Sequence, residues 1–395
     1  MNDRRQIFGW VMYDWANSAY MTTVTAAVLP IFFATVVVPP EGYTIGGTVF
    51  SASALWGFLI SLSTFIVFIS APILGAIAEF SASKKKFLMA FCYSGSLFTI
   101  LLFFCGTGDV WMTMIFFLIA QIGFVGSIVF YDAFLPHIAS PDKMDWVSGK
   151  GYSFGYIGGG IQFACSLAIV SAHERLGIDS SLAARIAMSM AGLWWAGFSI
   201  ITFVNLKEAA SNETLPEKYR KLPGILAYAW LGIDRTIQTA GKVRRFKHLL
   251  LFLLAFMVYD DGIQTVINMA TIYGSQELGL STTVLMLTLL IIQIIGIPSA
   301  LLFGKLGERI STKKALMITL FLWSGIVIYA FFITSAVQYI ALGGIVGLAM
   351  GGAIVSIWYD SHPEKRKNTC PRGEGGRNER YVNEDFCDRC GKGGG

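Results

Sequence analysis

The sequence predicts an all-α membrane protein of about ten transmembrane helices, six in an N-terminal bundle and four in a C-terminal one. Three observations predict it. Of 395 residues, 54% are hydrophobic and only 14% are charged, against roughly 25% charged in a soluble domain. Apolar runs of about 20 residues, the length that crosses a bilayer, recur along the chain. Basic residues gather on alternate connections, as they do on the cytoplasmic side of a membrane protein.

The runs place helices near 8–38, 50–78, 87–105, 110–139, 150–172, 185–206, 248–272, 282–303, 315–334 and 336–357. The first is too long for a signal peptide and lacks a cleavage site, so it is expected to remain in the mature chain. With the amino terminus inside, 20 basic residues fall on inside segments and 2, Arg175 and Arg185, on outside ones. That bias orients a multi-pass protein of the cytoplasmic membrane, with its N-terminus cytoplasmic. The net charge of +5 therefore reports topology, and no nucleic-acid partner is implied; a basic inner surface suits anionic headgroups instead. Four segments follow: a bundle over 1–206, a cytoplasmic linker over 207–247, a four-helix bundle over 248–357 and a polar tail over 358–395.

An internal repeat supports the division. "GAIAEFSASKKK" after the second run and "GKLGERISTKK" after the eighth share a glycine (Gly75, Gly304), a glutamate four residues on (Glu79, Glu308) and a lysine nine residues on (Lys84, Lys313). "VMYD" at 11–14 is echoed by "MVYD" at 257–260. Glycine lets helix ends approach closely, while the acid can pair with nearby lysines or accept helix-start N–H groups. The spacing reads as a clasp that opens and closes as helices rock; the plain alternative is a short solvated loop. In the linker, Leu226, Trp230 and Ile233 fall at helical spacing, which predicts a helix on the membrane surface.

Acids at membrane depth occur in three helices: Asp14 in the first, Asp132 in the fourth, and Asp260 with Asp261 in the seventh. Each of Asp14, Asp132 and Asp260 follows a tyrosine, Tyr13, Tyr131 and Tyr259. A carboxylate inside a span costs about 2.5–3.5 kcal/mol on insertion scales, so it marks a partner, a proton or a wet cavity. Asn17 and Tyr20 in the first helix, and Gln264 and Asn268 in the seventh, extend those polar faces. The candidates for solute and proton are therefore Asp14, Asn17, Tyr20, Tyr131, Asp132, Tyr259, Asp260, Asp261, Gln264 and Asn268. The plain readings are an interfacial Asp14 at a frayed helix start and an Asp132 that caps a helix or pairs with Lys143. Gln121 and Gln293 read as lone polar residues satisfied by a neighbouring helix.

Cys92, Cys105 and Cys165 lie in apolar runs and behave as small hydrophobes. Cys370, Cys387 and Cys390 in the tail, with His362, make a weak zinc pattern. No cofactor is implied, and no nucleophile–base pair or phosphate loop points to an enzyme.

Several stretches resemble a known family: "YDWANSAY", "FYDAFLPHIA" followed by "GKGYSFGYIGGG", "ETLPEKYR" and "YDDGIQTVINMATIYGSQELGLS". Together with the repeated loop and the basic linker, they are similar to the major facilitator superfamily, in the branch that holds the yeast vacuolar amino-acid effluxer and bacterial members of unknown substrate. The resemblance runs from about residue 8 to Gly352. It implies alternating access, a cavity lined by helices one, four, seven and ten, and proton-coupled efflux of amino acids or another small solute by a monomer. After "GLAMGG" the chain departs from the family pattern and shows no further span, so a truncated C-terminal bundle and a disordered or out-of-frame tail are expected. The competing reading is a non-transporting membrane anchor, or an inactive product, with a zinc-binding tail.

Overall fold

A computed structural model describes residues 2–140, 143–208, 217–219, 224–245, 247–310 and 312–360. A long helix lies over each expected segment. The first span is a continuous helix over Arg4–Val37. The second to sixth follow at Ala52–Phe80, Lys84–Leu101, Val110–Asp132, Met144–Ser171 and Ser180–Asn205. The seventh to tenth are Lys247–Gln276, Thr282–Ile310, Thr312–Ala330 and Ala336–Asp360, and a linker helix occupies Gly224–Arg245. Among the described residues, the first six and the eighth contain stretches long and apolar enough to cross a membrane; Met317–Ala330 and Ala336–Met350 are shorter apolar stretches.

Local chemistry explains the ends. Asp3 caps the first span by accepting the backbone N–H of Arg5 at 2.9 Å, and Asp179 caps the sixth by accepting that of Leu182 at 2.5 Å. Within the first span, Tyr20–Val28 widens to a π-helix, a form that concentrates at functional sites. Pro30 has no N–H for the carbonyl of Ala26, four residues back. That carbonyl accepts the hydroxyl of Thr271 from the seventh span at 3.0 Å. The apolar runs predicted near 8–38 and 50–78 are joined by a hairpin, in which Tyr43–Ile45 and Thr48–Phe50 pair antiparallel. Its two-residue turn is Gly46–Gly47, both at positive φ, the turn that matches strand twist.

Buried residues form two large clusters. One joins the first six spans around Trp56, Phe117, Trp195 and Tyr20. The other joins the seventh to tenth spans around Leu285, Trp323 and Tyr339, with Ile31 of the first span inserted. The first span lies at the centre, with 78% of its apolar window buried, and it packs along the fifth and sixth. Glycines make the close approach to the fifth possible. A Cβ at Gly151 would stand 2.6 Å from Asp14 Oδ2, and one at Gly155 would stand 2.7 Å from Ser18 Oγ. Small residues at four-residue spacing let membrane helices meet backbone to backbone.

Among the described residues, hydrogen bonds join the two bundles from Thr271 to the Ala26 carbonyl, from Trp56 Nε1 to the Asn268 carbonyl at 3.2 Å, and from Gln293 to Thr22 Oγ1 at 2.7 Å. On the first span, the residues they touch lie on the hairpin side of Asp14. Toward the N-terminal end, Asp14 and Asp260 are half-buried, while Asp132 and Asp261 are exposed. The bundles are thus fastened at the hairpin end, and the acids line the opposite side.

Candidate functional site

Asp14 is held by one hydrogen bond and by close packing. Its Oδ2 accepts the hydroxyl of Tyr131, from the fourth span, at 2.7 Å. Trp10, one turn earlier, stacks on the Tyr131 ring at 4.3 Å and donates its indole N–H to the Tyr131 carbonyl at 3.0 Å. Gly151 of the fifth span backs the carboxylate. Among the described residues no basic side chain pairs with Asp14. The acid stands between helices, so the reading of a frayed interfacial residue does not describe it. Asp132 lies within electrostatic reach of Asp14 and Tyr152; it has no ion pair with Lys143.

The other candidates are placed as follows. Asn17 is buried beside this cluster on the first span. Tyr20 is fully buried, and its hydroxyl is given to Gln121 at 2.9 Å, with Thr25 also on Gln121 at 3.3 Å. Asp260 and Asp261 stand on the seventh span with Gln264 within hydrogen-bonding reach of Asp260. Tyr259 is half-buried above them. No hydrogen bond or ion pair joins Asp14 or Asp132 to Asp260 or Asp261. Asn268 is buried where the bundles meet; its amide N–H is given to the Gln264 carbonyl at 2.8 Å, while its Oδ1 has no partner.

A cavity of about 440 Å³ lies between the first, seventh, eighth, ninth and tenth spans. Among the described residues its polar lining is Thr22, Thr265, Thr288, Gln293, Tyr273 and Tyr339, set in apolar walls that hold no acidic or basic residue. Volume and lining are those of a small-molecule site with a few orienting groups. The acids do not line it.

At the N-terminal end, Lys84 lies 3.7 Å from Glu79 and 3.0 Å from His137 Nε2. The carboxylate that receives a helix-start N–H is Glu208, after the sixth span: it accepts the Lys85 N–H at 3.0 and 3.1 Å. Gly75 has open space beside it. Its counterpart Gly304 lies in the eighth span, while the side chains of Glu308 and Lys313 lie outside the described residues. So do Cys370, Cys387, Cys390 and the tail that carries them. Among the described residues no group of His, Cys, Asp or Glu is arranged to hold a metal.

Sequence reasoning missed Trp10, Gly151 and Glu208. Trp10 carried a usable signal, one helical turn before Asp14. Gly151 and Glu208 act through contacts that spacing does not encode.

The family model described as vacuole effluxer Atg22-like matches residues 2–354. An MFS-type transporter of Bacillus subtilis (strain 168), YxiO, is 33% identical over 352 residues, 88% of this chain and 78% of that protein. Autophagy-related protein 22 of Coccidioides immitis (strain RS) is 22% identical over 87% of this chain and 72% of its own. Among solved structures, the nucleoside transporter NupG superposes with a TM-score of 0.59 at 13% identity, covering 91% of this chain and 84% of that one. The xylose transporter XylE of E. coli, partially occluded and inward open, gives 0.57 at 15% identity, covering 90% and 87%. These likenesses establish the fold of a multi-pass membrane transporter, not an enzyme. The chain belongs to the vacuole effluxer Atg22-like family of the major facilitator superfamily.

Proposed function

We propose that this chain is a monomeric, proton-coupled secondary transporter of the cytoplasmic membrane, N-terminus inside, that exports amino acids or another small solute by alternating access. The observation that carries the proposal is Asp14 of the most buried span paired with Tyr131 of the fourth, with no basic partner among the described residues. A carboxylate in such surroundings needs a partner or a proton, and a proton can be taken and released as the bundles rock. Asp132 shares that end of the path, and Asp260 or Asp261 offers a second station on the opposing bundle. Asn17, Gln264 and Asn268 meet the solute; the unpartnered Oδ1 of Asn268 suits a solute N–H. The uncharged cavity holds the solute's apolar part.

The test uses proteoliposomes loaded with a pH-sensitive dye. Pools of amino acids added outside should move protons with wild-type protein. Asp14→Asn should abolish that movement while leaving exchange of labelled for unlabelled solute. Unchanged proton movement in Asp14→Asn would sink the assignment of Asp14. Proton movement driven by nucleosides or sugars, and by no amino-acid pool, would overturn the choice of solute.

A further inference from the structure

Among the described residues, the linker helix Gly224–Arg245 packs on the second span along one side and exposes apolar side chains on another. Gly232 brings it against the last turns of the second span: a Cβ there would stand 2.8 Å from the Pro72 carbonyl and 3.0 Å from Ala76 Cβ. A second edge buries Ala227 and Leu231 with Tyr219. Trp230, Ile233 and Ile237, at helical spacing, form a separate apolar stripe; Trp230 is 53% and Ile237 64% exposed. Pro72 and Ala76 lie about two turns and one turn before the end of the second span at Phe80. That span also exposes Phe65, Phe68 and Ile69, as a lipid-facing wall does. The linker helix therefore sits at the depth where acyl chains give way to headgroups, the level that favours tryptophan.

Charge selects the occupant. Lys242, Arg244, Arg245 and Lys247 follow within six positions, without an acid. The helix's single acid, Asp234, is already engaged by the Tyr219 hydroxyl at 2.5 Å and by Lys218 at 3.6 Å. We infer that Gly224–Arg245 is a membrane-surface strap that binds anionic lipid, its apolar stripe in the interface and its basic end on the headgroups. Amphipathic helices bind this way when apolar burial and attraction to anionic lipid add together. Because the strap is seated on Pro72–Ala76, lipid binding bears on the helix that leads into the Glu79–Lys84 loop.

The experiment places full-length protein in nanodiscs that contain acyl-brominated phosphatidylglycerol or phosphatidylcholine, with tryptophan quenching as the readout. Trp230→Phe should remove a quenched component that wild type shows. The Trp230 component should respond to brominated phosphatidylglycerol at about 10-fold lower lipid fraction than to brominated phosphatidylcholine, since each basic residue near an anionic surface adds to binding. Lys242→Gln with Arg244→Gln and Arg245→Gln should erase the preference and keep the quenching. A Trp230→Phe variant quenched like wild type would overturn the location of the strap. Equal response to the two lipids, or a preference that survives the triple change, would overturn its anionic ligand.

Discussion

A carboxylate in the most buried helix of a membrane protein persists only where neighbours or a proton compensate its desolvation. Asp14 has the Tyr131 hydroxyl, the stacked Trp10 and the space left by Gly151. Tyr131→Phe deletes a hydrogen bond to a charged group, worth about 1.5–3 kcal/mol. Solute-driven proton flux should fall at least about 10-fold on that scale, while detergent-extracted protein remains folded by circular dichroism. Gly151→Ala should do the same through a methyl placed 2.6 Å from Asp14 Oδ2. Gly160→Ala on the same helix meets nothing within 4 Å and should leave flux unchanged. If both alanines behaved alike in the flux assay, the close fit of Gly151 under Asp14 would not matter.

Among elements, the seam between bundles and the strap carry separate predictions. Thr271→Val removes the hydroxyl that the Ala26 carbonyl accepts across the seam at a buried site. The cost is about 1–3 kcal/mol, and it should appear as a lower thermal midpoint in detergent; Thr282→Val, at a helix start outside the seam, serves as the control. In the strap, the Tyr219 hydroxyl is the largest influence holding Asp234 below the usual carboxylate value of 3.8, with Lys218 adding to it. A carboxyl depressed on folding contributes stability above its unfolded value and loses it as pH falls through the folded one. Pepsin should therefore cleave the linker faster as pH drops below that range, and Asp234→Asn should flatten the dependence. The clasp differs from its sequence reading for a related reason. Glu79 meets Lys84, but the N–H of Lys85 goes to Glu208, brought there by the end of the sixth span.

For the whole molecule, the hydrogen bonds of Thr271, Trp56 and Gln293 fasten the bundles at the hairpin end, and the acids lie on the other side. The alternating access proposed for this chain requires that seam to open. Thr271→Val combined with Gln293→Leu should raise the population open at the hairpin end. A cysteine at Ile31, which is buried in the second cluster, should then react faster with an impermeant maleimide added from that side. An unchanged labelling rate would mean that packing around Ile31, not these polar links, sets the equilibrium.

The sequence by itself determined the all-α membrane class of the structure and the helices that bear acids. Length, apolarity and charge asymmetry act locally on membrane insertion, so they are legible one segment at a time. "YTIGGTVF" also held a readable hairpin signal, in its Gly-Gly between alternating residues. Only the tertiary structure decided which acid is held and which stands exposed. It paired Tyr131 with Asp14 across 117 positions, placed Gly151 behind the carboxylate and set the 440 Å³ cavity apart from Asp14, Asp132, Asp260 and Asp261. Those outcomes depend on how helices cross, and crossing is fixed by packing between segments far apart in the chain, which no local pattern records.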